Sequence, residues 1–310
     1  MLPDPSTADL HARILRGDVR AIARAATLIE AQTAAGRHLV THLFPHTGRS
    51  HIVGITGPPG AGKSTLTDQI TKVLRQAGKT VGIIAVDPSS PYSKGALLGD
   101  RIRMGDHYRD PGVFIRSMAT RGSLGGVARS TLELALLLDA SGRDVVLVET
   151  VGVGQDEIEI ARLADVTVVV LVPGFGDDVQ ALKAGIMEIA DVFAINKADL
   201  PGVERLEHEI RSMQSLAYAS EPVTPLCRVT ATTGDGVRDL LTAIEACSKN
   251  RRVLRNQIEK WTVRLRDMLH DQLLAETPRH ELAIHAERVA QRFEDPYTAV
   301  NALRARLLGA

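Results

Sequence analysis

Eight consecutive residues, Gly57-Pro58-Pro59-Gly60-Ala61-Gly62-Lys63-Ser64, bring together what phosphate chemistry needs. Glycines let a backbone curl until several N–H groups point at one anion. The run follows an apolar stretch and opens a helical pattern, so a helix N-terminus adds its partial positive charge. Gly57, Gly62, Lys63 and Ser64 stand at the spacing of a P-loop. At those positions the lysine reaches the β- and γ-phosphates of a nucleotide and the serine hydroxyl binds Mg2+. Thr65 is placed to donate to the α-phosphate.

A second signature, Asn196-Lys197-Ala198-Asp199, selects the base. A carboxylate at the fourth position accepts from both the ring N–H and the exocyclic amine of guanine. Adenine offers no such donor pair, so the wrong base leaves the carboxylate unpaired, a loss that discriminates strongly. Asn196 is expected to brace the loop and meet the base edge, with the stem of Lys197 lying over the base. Thr230-Ala231-Thr232, just before Gly234-Asp235-Gly236, suits a loop whose backbone N–H faces the guanine O6. The ligand is therefore read as GTP or GDP with Mg2+.

Carboxylates complete the set. Asp87 and Glu149 each close an apolar run, and in an open α/β sheet such strand ends face the ligand crevice. Glu149 is expected to hold Mg2+ directly or through water, Asp87 to position the metal's water shell or the attacking water, and Asp100 to be a further metal partner. Thr150-Val151-Gly152-Val153-Gly154-Gln155 follows Glu149 directly. The N–H of Gly152 can bond a γ-phosphate before hydrolysis and loses that partner afterwards, which is how a switch loop works. Segments 88–103 and 173–183 are further switch candidates. His38 and His42 lie four apart on a predicted helix, a spacing compatible with metal binding, but no third ligand accompanies them in sequence. His280 and His285 are a poor match to one helical face, and neither pair is taken as functional.

Elements must carry these residues. Apolar runs at 52–56, 80–86, 113–116, 145–148, 167–172, 192–195 and 227–230 predict strands buried on both faces. Helical patterns at 63–76 and 131–140 alternate with them, which predicts an α/β fold: a mostly parallel sheet covered on both sides. Before it, 9–44 reads as helical with Gly36 as the break. After about 248 only helical patterns remain, divided by Pro278 and Pro296. The expected division is a helical N-terminal extension (1–48), a P-loop nucleoside-triphosphatase domain (49–248) and a helical C-terminal tail (249–310).

The 310 residues carry 37 Lys+Arg and 37 Asp+Glu, so the formal charge of zero argues against a nucleic-acid partner or charge-steered membrane binding. With 44% hydrophobic and 24% charged residues the composition is that of a globular chain with a real core. The longest apolar stretch, 166–172, is strand-length, and charged residues interrupt the N-terminus, so a cytoplasmic, membrane-free location is expected. The cysteines, Cys227 and Cys247, form no Cys-x-x-Cys pair and are read as reduced thiols.

These motifs, together with Asp87-Pro88-Ser89-Ser90, the run 95–104 (GALLGDRIRM), Arg116-Ser117-Met118-Ala119-Thr120-Arg121-Gly122, Leu124-Gly125-Gly126 and Lys183-Ala184-Gly185-Ile186-Met187-Glu188, make the chain resemble the methylmalonyl-CoA mutase-associated GTPases (MeaB, also known as ArgK or LAO/AO transport ATPase). The resemblance spans about residues 10–245. It implies a SIMIBI-type P-loop GTPase flanked by helical extensions, slow Mg2+-dependent hydrolysis of GTP to GDP and phosphate, and a homodimer. It also implies a chaperone of an adenosylcobalamin-dependent acyl-CoA mutase, one that gates cofactor delivery and protects or reactivates that enzyme. By position, Lys63, Ser64, Asp87, Asp100 and Glu149 match the family's phosphate and Mg2+ residues, and Asn196, Lys197 and Asp199 match its guanine site. Asp177, Gln180 and Lys183 match a mobile loop coupling nucleotide state to the mutase. The competing readings are a nickel-insertion metallochaperone GTPase and a kinase or ATPase linked to amino-acid transport.

Overall fold

The computed structural model describes residues 5–87, 107, 109–119, 126–150, 156–174, 189–217, 223–249 and 252–307. Two compact units divide the chain, Met1–Val253 and Leu254–Ala310.

In the first unit the described residues form one seven-stranded sheet. Its strands are β1 (His51–Thr56), β2 (Val81–Asp87), β3 (Val113–Ala119), β4 (Val145–Thr150), β5 (Val166–Leu171), β6 (Val192–Ile195) and β7 (Leu226–Arg228). Their order is β3-β2-β4-β1-β5-β6-β7, and every neighbouring pair is parallel. Parallel strands end on the same edge, so the residues after β1, β4, β6 and β7 share one crevice. β1 is central, between β4 and β5, with Ile55 opposite both Glu149 and Val168.

The strands are apolar throughout because both faces are covered. Val168, Val170 and Val172 pack with α4 (Lys63–Gln76) and α8 (Val237–Lys249). Val169 and Leu171 point the other way, into a cluster with Phe193, Ile195 and Leu206 and Ile210 of α7 (Val203–Ala217). α5 (Gly126–Ala140) and α6 (Asp156–Leu163) pack on the sheet beside each other. α5 is buried without a break from Ser130 to Ala140, and such a helix must be enclosed on more than one side. The second cover is the N-terminal region: α2 (Val19–Glu30) and α3 (Ala34–Leu43) lie against α5, and α1 (Pro5–Leu15) lies against both.

The expected helix break at Gly36 is a correction. The breaks fall at residues 16–18 and 31–33. Asp18 caps α2 by accepting from the N–H groups of Arg20 and Ala21, and the Ala21 N–H, with Arg13 beside it, holds the Asp18 carboxyl below its usual range. Thr33 caps α3. Gly36 lies inside α3, buried, where a Cβ would sit 2.5 Å from the Leu28 carbonyl oxygen of α2. Its missing side chain is what lets the two helices touch. Gly36→Ala should cost about 1–3 kcal/mol through forced separation of α2 and α3, measured as a lower denaturant midpoint with the same slope.

Three other boundaries differ. β3 runs to Ala119 rather than 116, because it follows β2 residue for residue to Asp87. α5 begins at Gly126, before the apolar residues that signalled it. β7 is Leu226–Arg228, not 227–230, because Thr230 turns back to pair antiparallel with Asp235.

The second unit contains most of α9 (Arg252–Glu276), then α10 (Arg279–Ala290) and α11 (Pro296–Leu307). Pro278 is the N-cap of α10, and Pro296 occupies the first position of α11, where its missing N–H costs nothing. Ile258, Leu265, Leu269 and Leu273 are exposed along one face of α9. No described helix is long and apolar enough to cross a membrane.

Candidate functional site

β1 delivers the chain to Gly57, and α4 starts at Lys63, so the loop is pinned between a strand end and a helix start. Gly62 has φ +85°, and a Cβ there would lie 2.5 Å from Asn196 Nδ2. Both the turn and the close approach demand glycine. Lys63 is only 5% exposed, and its Nζ donates to the carbonyls of Gly57 (2.8 Å) and Pro58 (2.9 Å). The ammonium is folded over the loop whose N–H groups would hold phosphate. Ala61 N–H closes the turn onto Pro58 O at 3.2 Å.

Ser64 and Glu149 meet. The Ser64 hydroxyl donates to Glu149 Oε1 at 2.5 Å, a short contact typical of a donor to a carboxylate. One residue further along each strand-to-loop exit, Thr56 and Thr150 share a buried hydrogen bond of 3.1 Å between their hydroxyls. That pair is invisible in sequence, since only the β1–β4 register brings position 56 beside 150. Asp87 ends β2 beside Ala119, and its side chain lies outside what is described. Asp100, Gly152, Asp177, Gln180 and Lys183 also lie outside the described residues.

The base-reading elements converge through one side chain. Asn196 follows β6, its N–H bonded to Leu171 O, and it is 2% exposed. Its Nδ2 donates to Ala61 O (2.8 Å), and its Oδ1 accepts from Ala231 N–H (3.0 Å). Asn196 thus clamps the P-loop to the loop after β7. The expected bracing role is what the geometry uses, and the amide keeps a second N–H and a second lone pair beyond these two bonds. Ala231 N–H, in the Thr230-Ala231-Thr232 run expected to present a backbone N–H to the base, bonds Asn196 Oδ1. Lys197 adopts φ +56°, a strained value for a lysine, and its Nζ reaches Gly60 O at 3.1 Å. Asp199 is exposed in the turn that follows, closed by Leu200 N–H on Lys197 O. Thr230 accepts from Thr233 and Gly234 through its carbonyl, fixing the turn that presents Thr232.

Removing the clamp should be costly. Asn196→Ala leaves Ala61 O and Ala231 N–H buried without their partner, at about 1–3 kcal/mol each. Urea unfolding should show the loss, and it should be accompanied by weaker nucleotide binding.

Cys227 on β7 and Cys247 on α8 lie far in sequence from the P-loop, and burial pushes both thiols up, keeping them protonated at neutral pH.

The model of the family described as "Methylmalonyl Co-A mutase-associated GTPase MeaB" matches residues 22–280. The chain belongs to the MeaB family. It is therefore a GTPase, and its family binds guanine nucleotide. A relative in Pyrococcus abyssi, named as a GTPase, is 44% identical over 97% of both chains. GTPase ArgK of Escherichia coli is 42% identical over 64% of this chain and 61% of its own. The crystal structure of a LAO/AO transport system kinase superposes with a TM-score of 0.74 at 26% identity, covering 99% of each chain. This MeaB-family chain thus has the P-loop α/β architecture expected of it.

Proposed function

We propose that GTP hydrolysis by this chain times the service of an adenosylcobalamin-dependent acyl-CoA mutase of the methylmalonyl-CoA type: cofactor delivery is gated, and the mutase is protected or reactivated. The mutase association in the family's description supports the partner. The observation that carries the timing role is the contact between Ser64, in the first turn of α4, and Glu149, which leads into the segment bearing Gly152. A change at the phosphates acts directly on the strand end that feeds that segment.

In this reading Lys63 neutralises the β- and γ-phosphates, the N–H groups of residues 57–64 and Thr65 hold the phosphate chain, and the Gly152 N–H senses the γ-phosphate. Asn196 keeps phosphate loop and base loop in register, Lys197 covers the base, and Asp199 recognises guanine. Ser64 and Glu149 are hard oxygen donors already in contact, a set that suits Mg2+, with Asp87 and Asp100 completing its surroundings. When bound there, Mg2+ neutralises charge on the phosphate oxygens. The exposed apolar face of α9 supports a homodimer, since soluble chains rarely leave such a stripe in water.

The test is GTP turnover with and without an acyl-CoA mutase, alongside direct binding in the GTP and GDP forms. Stimulated turnover with nucleotide-dependent affinity is expected. Absence of both stimulation and binding would remove the mutase role, and phosphoryl transfer to a protein acceptor would mark a kinase instead.

A further inference from the structure

Arg116-Ser117-Met118-Ala119 ends β3, and it carries a hydroxyl for which the nucleotide reading has no use. Alternate residues of a strand face opposite sides of the sheet. Arg116 reaches Glu30 of α2, and Met118 Sδ accepts from the Thr131 hydroxyl of α5, so the even positions of β3 face α2 and α5. Val113 and Ile115 belong to the opposite cluster, with Leu66 and Ile70 of α4. Ser117 continues that second row. It stands on the side of the sheet where Ser64 of α4 meets Glu149.

The strand register puts Ser117 and Glu149 in one line. Ala85 of β2 is opposite Ser117 on one flank and opposite Glu149 on the other. Across the α4 face the row reads Ser117, Ala85, Glu149, Ile55. Neighbouring strands lie about 4.8 Å apart, so the Ser117 and Glu149 backbones are separated by about 10 Å. Ala85 presents only a methyl group between them, where Val81 and Ile83 on the same face present branched chains.

Ser117 Oγ is enclosed and has no hydrogen-bond partner among the described residues. A buried hydroxyl left unpaired costs free energy, and ordered water is the usual partner where no protein group is in reach. Such a water needs further polar partners of its own. The Glu149 carboxylate has the capacity, since its two oxygens accept about four bonds and Ser64 supplies one. We infer that Ser117 is a positioning residue of the nucleotide site. Its hydroxyl, through ordered water, braces the Glu149 carboxylate from the β3 side while Ser64 holds it from the α4 side. Ser117 touches neither nucleotide nor ion. It fixes the orientation of an oxygen donor, as the hydrogen bonds behind a ligating carboxylate do. This rests on the reading in which Glu149 serves Mg2+.

Mn2+, a paramagnetic stand-in for Mg2+, provides the test. It is titrated into the full chain saturated with a non-hydrolysable GTP analogue, and its affinity is read by electron paramagnetic resonance. Ser117→Ala and Ser117→Val should each lower that affinity about tenfold, the scale of lost support behind a metal ligand. Ser117→Thr, which has the shape of valine and keeps the hydroxyl, should stay close to native. The Mg2+ concentration for half-maximal GTP turnover should rise in the same ratio, with kcat recovering at saturating Mg2+. Glu149→Gln should weaken Mn2+ binding by itself. Adding Ser117→Ala to it should cost little more, because residues that act through one another are not additive. Equal losses in Ser117→Thr and Ser117→Val, or additive losses in the double variant, would overturn the link. So would native affinity in Ser117→Ala while Glu149→Gln binds weakly, an outcome that leaves the Mg2+ reading standing. Native affinity in Glu149→Gln would remove that reading, and the link with it.

Discussion

Lys63→Ala should lower GTP turnover by about 10²–10³-fold, the effect of removing one preorganised charge-stabilising donor from a phosphoryl-transfer site. The lysine is buried at the first position of α4, and its Nζ already spans the Gly57 and Pro58 carbonyls. The alanine variant loses both the charge on the phosphates and the strap across the loop. Turnover and GTP affinity should therefore fall together, while GTP remains preferred over ATP, since Asp199 is untouched. Single-turnover kinetics with calorimetry separates the two losses. Turnover within threefold of native would mean that the phosphates lie elsewhere.

The second large effect belongs to Asp199→Asn. A carboxylate accepting from two guanine donors supplies discrimination of about 10⁴–10⁵ against a base lacking them. An asparagine can accept from only one of those donors, and it presents an amine where the other stood. Preference for GTP over ATP should fall by orders of magnitude. XTP, whose base has a carbonyl in place of the amine, should gain affinity. Asp199 is exposed in a surface turn, so stability should stay within about 0.5 kcal/mol, the usual range for such sites. Unchanged selectivity would place the base at another edge of the sheet.

The loop and turn proposed to hold the nucleotide were legible because their chemistry is local. Gly57 to Ser64 specify their own loop, and four residues specify the base turn. The strands were legible because two-sided burial writes continuous apolar runs, and the end of β6 at Ile195 falls where the pattern places it. The failures are long-range. Gly36 reads as a breaker, and only the carbonyl of Leu28, eight residues earlier on another helix, shows that it is a contact point. Asn196 reads as a loop brace, but that its partners are Ala61 and Ala231 is set by the fold alone. The 227–230 run reads as strand because Thr230 is β-branched, yet the pairing that captures it is to Asp235.

The enclosure of α5 has a consequence for how this chain can be dissected. Ala21, Ile22, Ala25, Ala26, Ile29, Leu39 and Leu43 are buried on the helices that precede β1, and α2 and α3 lie over α5. A fragment starting at residue 49 would bare the leucine-lined back of α5 and clump. The leading helices behave as a permanent lining rather than a detachable handle. Chimaeras that exchange nucleotide-handling modules between relatives must carry them along.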